Sequence, residues 1–147
     1  MLLQFFVGSF VTAINIVVHA VVTVLVIRVA RATGLRSTLH PWLRLAAVMV
    51  ATASVLIIAH TFEVIVWSSA YVLVGAAPEG SDPIDFAFVN YTTLGYGDVT
   101  PSKAWRLLGP MTAMNGVLMF GWSTAVLFEV LRKTIDHHAS SASSYDA

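Results

Sequence analysis

The strongest constraint on the fold is the run from Trp42 to Val74, in which Arg44, His60 and Glu63 are the only ionisable side chains apart from Tyr71. A membrane helix needs about 20 predominantly apolar residues. At 1.5 Å per residue this run is about 50 Å long, so as a helix it must tilt or project beyond the lipid. A second run, Phe5 to Val29, has no charge before Arg28, and a third, about Ala104 to Arg132, has none between Arg106 and Glu129. Across the chain 57% of residues are hydrophobic and 11% charged, against roughly 45–50% and 25% in soluble domains. The solvent that suits such a chain is a bilayer, and the reading is three transmembrane helices.

The same composition excludes several classes of function. Net charge is zero, so no basic field argues for nucleic acid. There is no cysteine, which removes disulfides, thiolate metal sites and cysteine nucleophiles. The first span has no Lys or Arg near its start and exceeds the 7–15-residue core of a cleaved signal, so it is read as a helix. Arg28, Arg31, Arg36 and Arg44 crowd the connection between spans one and two, and Arg132 and Lys133 follow span three. The positive-inside rule then predicts an outside N-terminus and a cytoplasmic C-terminus.

Some thirty residues between spans two and three do not read as an ordinary loop. Gly75 to Ser81 is rich in turn formers. Asp82 is suited to cap a helix, Pro83 to open it and Asp85 to its first turn. Ile84 to Thr92 is apolar and aromatic but too short to cross a bilayer, so it is expected to dip in and return as extended chain. Backbone outside a helix is tolerated at membrane depth only where protein buries it or it lines water.

That returning stretch, Thr93-Leu94-Gly95-Tyr96-Gly97-Asp98, resembles the selectivity filter of tetrameric potassium channels, usually T-V-G-Y-G-D. Residues 82–92 resemble the pore helix, Pro101 and Trp105 the opening of the inner helix, and Gly116 and Gly121 its hinge glycines. The resemblance implies an all-α membrane protein: three transmembrane helices plus a re-entrant pore helix and filter loop, in a four-fold symmetric homotetramer. It implies an outer helix at 42–74, a turret at 75–81, a pore helix at 82–92, a filter at 93–98 and an inner helix at 104–133. Residues 1–41 form an added helix and cytoplasmic connection, and 134–147 read as a disordered tail. Glycines at 95 and 97 allow positive φ, so successive carbonyls can face one way. Four such strands would replace a potassium ion's hydration shell, with K+ held at Thr93, Leu94, Gly95 and Tyr96 and Gly97 completing the filter. The implied function is passive conduction of K+, the permeant ion, with no organic cofactor, in a bacterial inner membrane.

Departures from the pattern locate the open questions. Leu94 stands where the family usually has Val or Ile. Asp85 and Phe86 replace a tryptophan pair that braces the filter in voltage-gated relatives, and Val89 replaces a glutamate found in some bacterial channels. Asp98 therefore lacks its familiar partners. Support for the filter is expected from Thr92, Tyr91, Asp98 and Glu63, since a membrane carboxylate is costly unless paired. Candidate partners of Glu63 are Tyr91, Thr92, Asn115 and Asp98; an ordinary His–Glu fastening of span two to span one is the plainer alternative. His60, Glu63 and Trp67 share one helix face. Thr12, Asn15, His19 and Thr23 make a polar stripe on span one, read first as adhesion between helices. His19, His60 and Glu63 are also candidate proton-sensing residues.

On span three, Val117, Phe120, Thr124 and Phe128 share a face expected to line the cavity below the filter. Pro110 is expected to kink or loosen the first turns. No arginine-repeat voltage sensor is visible, nor do a nucleophile, base and orienting group converge as in an enzyme. No soluble partner is evident. The alternatives to a potassium channel are a weakly selective monovalent cation channel and a non-conducting assembly or regulatory subunit.

Overall fold

A computed structural model of the chain describes residues 1–34 and 40–143. These form α1 (Leu2–Gly34), α2 (Pro41–Val74), α3 (Pro83–Tyr91) and α4 (Leu108–Ser143), with a 3-10 turn at Lys103–Trp105 and no strand among the described residues. Arg36 and the last four residues lie outside the described residues. Three stretches are long and apolar enough to cross a membrane: Leu2–Val29, Trp42–Val74 and Leu108–Asp136. The chain is an all-helical integral membrane protein.

The short helix is bounded by its own sequence. Asp82 accepts hydrogen bonds from the backbone N–H of Ile84 (2.8 Å) and Asp85 (3.4 Å), and Pro83 occupies the first turn. Nine residues span only about 14 Å. Replacing Asp82 with alanine removes the cap and is expected to cost about 1 kcal/mol. Thermal unfolding in detergent checks this, with Asp82→Asn close to the parent. At the other end Thr93 N–H reaches Asn90 O (3.1 Å) and Leu94 N–H reaches Val89 O (3.0 Å). This pair of bonds is a Schellman cap, and it places Thr93 in the left-handed position that glycine usually takes.

The start of α4 differs from the expected residue 104. A helix running through 104 would bury the Pro110 ring against the carbonyl of Arg106. Instead the helical bonds begin with Met111 N–H to Leu107 O, which leaves Pro110 in the first turn, where no hydrogen bond is lost and no kink is needed. The break is bridged from α1: Gln4 donates to Ala104 O (2.5 Å) and accepts from Leu107 N–H (3.1 Å). The tail also differs. Residues 134–143 continue α4 rather than standing unstructured. Glu129 pairs with Arg132 (2.9 Å) and Lys133 (2.7 Å) across the preceding turn, at the spacing that supports a helix.

α1 packs against both α2 and α4, and α3 sits between α2 and α4. The main core gathers Val11, Val64, Trp67, Tyr71, Phe86, Tyr91, Leu108 and Met119. A smaller cluster of Val26, Leu56, Val126 and Val130 closes the opposite end of the bundle. Large apolar side chains such as Phe6, Phe10 and Val17 stay exposed on α1, as lipid contact requires.

Candidate functional site

Everything from Thr92 to Thr100 is exposed, a non-helical segment held between α3 and α4. Within it φ is positive at Thr93 (60°), Gly95 (57°) and Gly97 (83°), and at no other non-glycine residue among those described. Leu94 and Tyr96 therefore have negative φ, and the sign alternates along the segment. Alternation of this kind allows successive carbonyls to face one side. At Thr93 it costs on the order of 1–3 kcal/mol, because a β-branched side chain is poorly suited to the left-handed region. The Leu94 and Tyr96 side chains stand exposed within a single chain. Asp98 makes no hydrogen bond or ion pair among the described residues, and Thr92 donates back along α3 to Phe88 O (2.7 Å).

A polar core lies behind the foot of this segment, and every helix contributes to it. Asn15 and His19 of α1, Glu63 of α2, and Asn115 of α4 are fully or almost fully buried. Glu63 accepts from His19 Nδ1 (2.8 Å), His60 Nδ1 (3.2 Å) and the Tyr91 hydroxyl. His60 Nε2 meets Ser123 Oγ at 2.9 Å, and His19 Nε2 meets the same oxygen at 3.3 Å. Of the four partners foreseen for Glu63, Tyr91 is therefore engaged, and Thr92, Asn115 and Asp98 are not. The His–Glu fastening between α1 and α2 is formed as well. One carboxylate does both jobs.

Beside this ring, Asn115 Oδ1 accepts from Asn15 Nδ2 (2.9 Å) and Trp67 Nε1 (2.8 Å). The stripe on α1 is thus used at Asn15 and His19, whereas the buried hydroxyls of Thr12 and Thr23 have no partner among the described residues. Sequence reasoning missed Ser123 and Gln4. Gln4 stands alone in an apolar run and Ser123 stands beside Thr124 in another, and polarity inside a span is the only signal that marks either.

On α4, Val117, Phe120, Thr124 and Phe128 are all exposed in the single chain, Phe128 by 66%. Phe120 also packs inward, its ring 4.7 Å from that of His60 and 5.5 Å from that of Tyr91. Gly116 faces the end of α3, where a β-carbon would fall 1.9 Å from the Tyr91 carbonyl oxygen; Gly121 has open space beside it. α4 runs as one helix through both glycines. An open groove of about 370 Å³ lies between the exposed segment and the start of α4, lined in part by Asn90, Thr93, Gly95, Pro101 and Arg106.

His19, His60 and Glu63 are the one set of side chains among the described residues whose ligating atoms converge as a metal site would require. All of them already bond to one another.

A family model described as "Ion channel" matches residues 59–133. Searches of curated proteins and of solved structures return no match. The matched span begins one residue before His60 and takes in the rest of α2, the short helix α3, the exposed segment and α4 as far as Lys133. It covers just over half of the chain and points to ion passage across a membrane rather than to catalysis. With the short helix, the alternating-φ segment and the two flanking spans inside that match, this chain belongs to the ion-channel family.

Proposed function

We propose that the protein is a potassium-selective channel in which four copies surround one pore. The observation that carries this reading is the alternation of φ sign from Thr93 to Gly97 within the sequence T-L-G-Y-G-D. One strand cannot enclose an ion, whereas four strands with carbonyls facing an axis replace its hydration shell. Carbonyls of Thr93, Leu94, Gly95 and Tyr96 supply the ion sites, and the exposed face of α4 with Val117, Phe120, Thr124 and Phe128 lines the water-filled cavity. A neighbouring copy covers the open groove beside the filter strand. The N-terminus lies outside a bacterial inner membrane and the C-terminus in the cytoplasm.

Flux from liposomes holding the full chain tests this reading, with K+ and Na+ gradients compared. Passage of K+ with little Na+ is the expected result. Equal passage of both ions points to a weakly selective cation channel, and tetramers without flux point to a non-conducting subunit. Gly95→Ala adds a left-handed alanine costing about 1–2 kcal/mol per chain, multiplied over four strands of one filter. Its K+ flux is expected to disappear while the tetramer still assembles. Parent-like flux in that variant would show that the ion does not pass this strand.

A further inference from the structure

The hydrogens available in the ring around Glu63 are one too few for its contacts. Five contacts close it. His19 Nδ1 meets Glu63 Oε1 at 2.8 Å. His60 Nδ1 meets Glu63 Oε2 at 3.2 Å, with Tyr91 Oη sharing the same hydrogen at 3.0 Å. The Tyr91 hydroxyl meets Glu63 Oε2. Ser123 Oγ meets both Nε2 atoms, at 2.9 Å for His60 and 3.3 Å for His19. Each contact needs one hydrogen. An ionised carboxylate brings none, two neutral imidazoles bring one each, and the two hydroxyls bring one each. Four hydrogens face five contacts.

We propose that His19, Glu63, His60, Ser123 and Tyr91 together bind one further proton per chain, and that this proton fastens α1 and α2 to α4. With it, every contact in the ring holds a hydrogen and the ring carries no net charge. The count is the same whether the proton is drawn on an imidazole or on the carboxyl. Without it, a net negative charge stays in the membrane interior, where unpaired charge is costly. The open contact then falls at Ser123, because facing lone pairs repel less between a neutral hydroxyl oxygen and Nε2 than between a carboxylate oxygen and Nδ1. Ser123 is the one member of the ring on α4. Phe120, one turn earlier on α4, packs on both His60 and Tyr91. Loss of the proton therefore loosens the helix that lines the proposed cavity.

The atoms of His19, His60 and Glu63 lie within 4.8 Å of one another, as in a metal site. Each already sits at hydrogen-bond distance from another member, so the ligand defined by these contacts is a proton. The titratable groups facing the ring are His19 from α1, His60 and Glu63 from α2, and Tyr91 from α3. α4 presents Phe120, Trp122 and Ser123, none of them charged.

Glu63→Gln supplies the decisive test, since its carboxamide brings two hydrogens at zero charge: one fills the open contact permanently, and the other lies beyond the five contacts. The full chain is measured in detergent for thermal stability and in liposomes for K+ flux, between about pH 5 and pH 8. In the parent the ratio of proton-bound to proton-free ring falls about tenfold per pH unit, so stability drops and flux changes as pH rises through that titration. The Glu63→Gln chain is expected to lose the pH dependence of both stability and flux over this range. A parent whose stability is flat over the range overturns the proposal. So does a Glu63→Gln chain that retains the parent's pH dependence, or one that fails to assemble. The flux readout rests on the channel reading, whereas the stability readout does not, so the two ideas fail separately.

Discussion

Replacing Gly116 with alanine is expected to unseat α3 from α4 and abolish a functional assembly. The added β-carbon would lie 1.9 Å from the Tyr91 carbonyl oxygen and 2.9 Å from its carbonyl carbon. Both are backbone atoms at the end of α3, so no side chain can swing aside to make room. Overpacking of this sort costs about 1–3 kcal/mol where side chains can adjust, and a backbone clash belongs at or beyond the upper end. The damage is local to the foot of the exposed segment, because Tyr91 is also the residue that ties α3 to Glu63 and His60. Gly121→Ala is the control: nothing lies within 4 Å of the new atom, and alanine favours a helix interior by roughly 0.5–1 kcal/mol. Thermal unfolding in detergent and K+ flux are expected to separate the two, with Gly116→Ala unstable and silent and Gly121→Ala at least as stable as the parent. A Gly116→Ala chain as stable and as conductive as the parent would sink this account. Reduced flux in a stable Gly121→Ala chain would assign the bending role to that position.

Features governed by neighbouring residues could be read from the sequence. The three apolar runs set the spans, and Asp82 with Pro83 set the start of α3, because caps and hydropathy act within a turn or two of chain. The order T-L-G-Y-G-D marked the segment in which φ alternates. The partners in the polar core were harder to read, since they depend on how α1 is rotated against α2 and α4, which periodicity does not determine. His19 and Glu63 were both visible as polar residues inside apolar helices. The link between His19 and His60 through Ser123 was not, because a serine in an apolar run is common and often bonds only to its own helix. Gly116 illustrates the same limit. A glycine within a helix can serve bending or close approach, and its contact with Tyr91 exists only once α3 is placed. The late start of α4 has the opposite lesson: Pro110 was visible, and its first-turn preference outweighed the apolar run around it.

Asn115 is the second position at which a single substitution should weaken the whole bundle. Its side-chain oxygen is the shared acceptor for donors on two other helices, Asn15 of α1 and Trp67 of α2. Asn15 Nδ2 keeps a longer contact with Glu63 O (3.3 Å), but Trp67 Nε1 has no second acceptor among its hydrogen bonds. Interhelical hydrogen bonds in membranes contribute about 0.6 kcal/mol on average and up to roughly 1.7. Asn115→Leu, which keeps the size and loses both bonds, is therefore expected to cost about 1–3 kcal/mol in detergent unfolding. Trp67→Phe removes one of the two donors and should cost less of that hydrogen-bond energy, although the smaller ring adds a packing loss. A double-mutant cycle removes that ambiguity, because the packing loss cancels and the coupling between the two side chains remains. A coupling near the membrane range just given supports the shared-acceptor geometry. Additive effects would mean that the indole and the amide stabilise the bundle independently, and that the joining of α1 and α2 to α4 rests chiefly on the ring around Glu63.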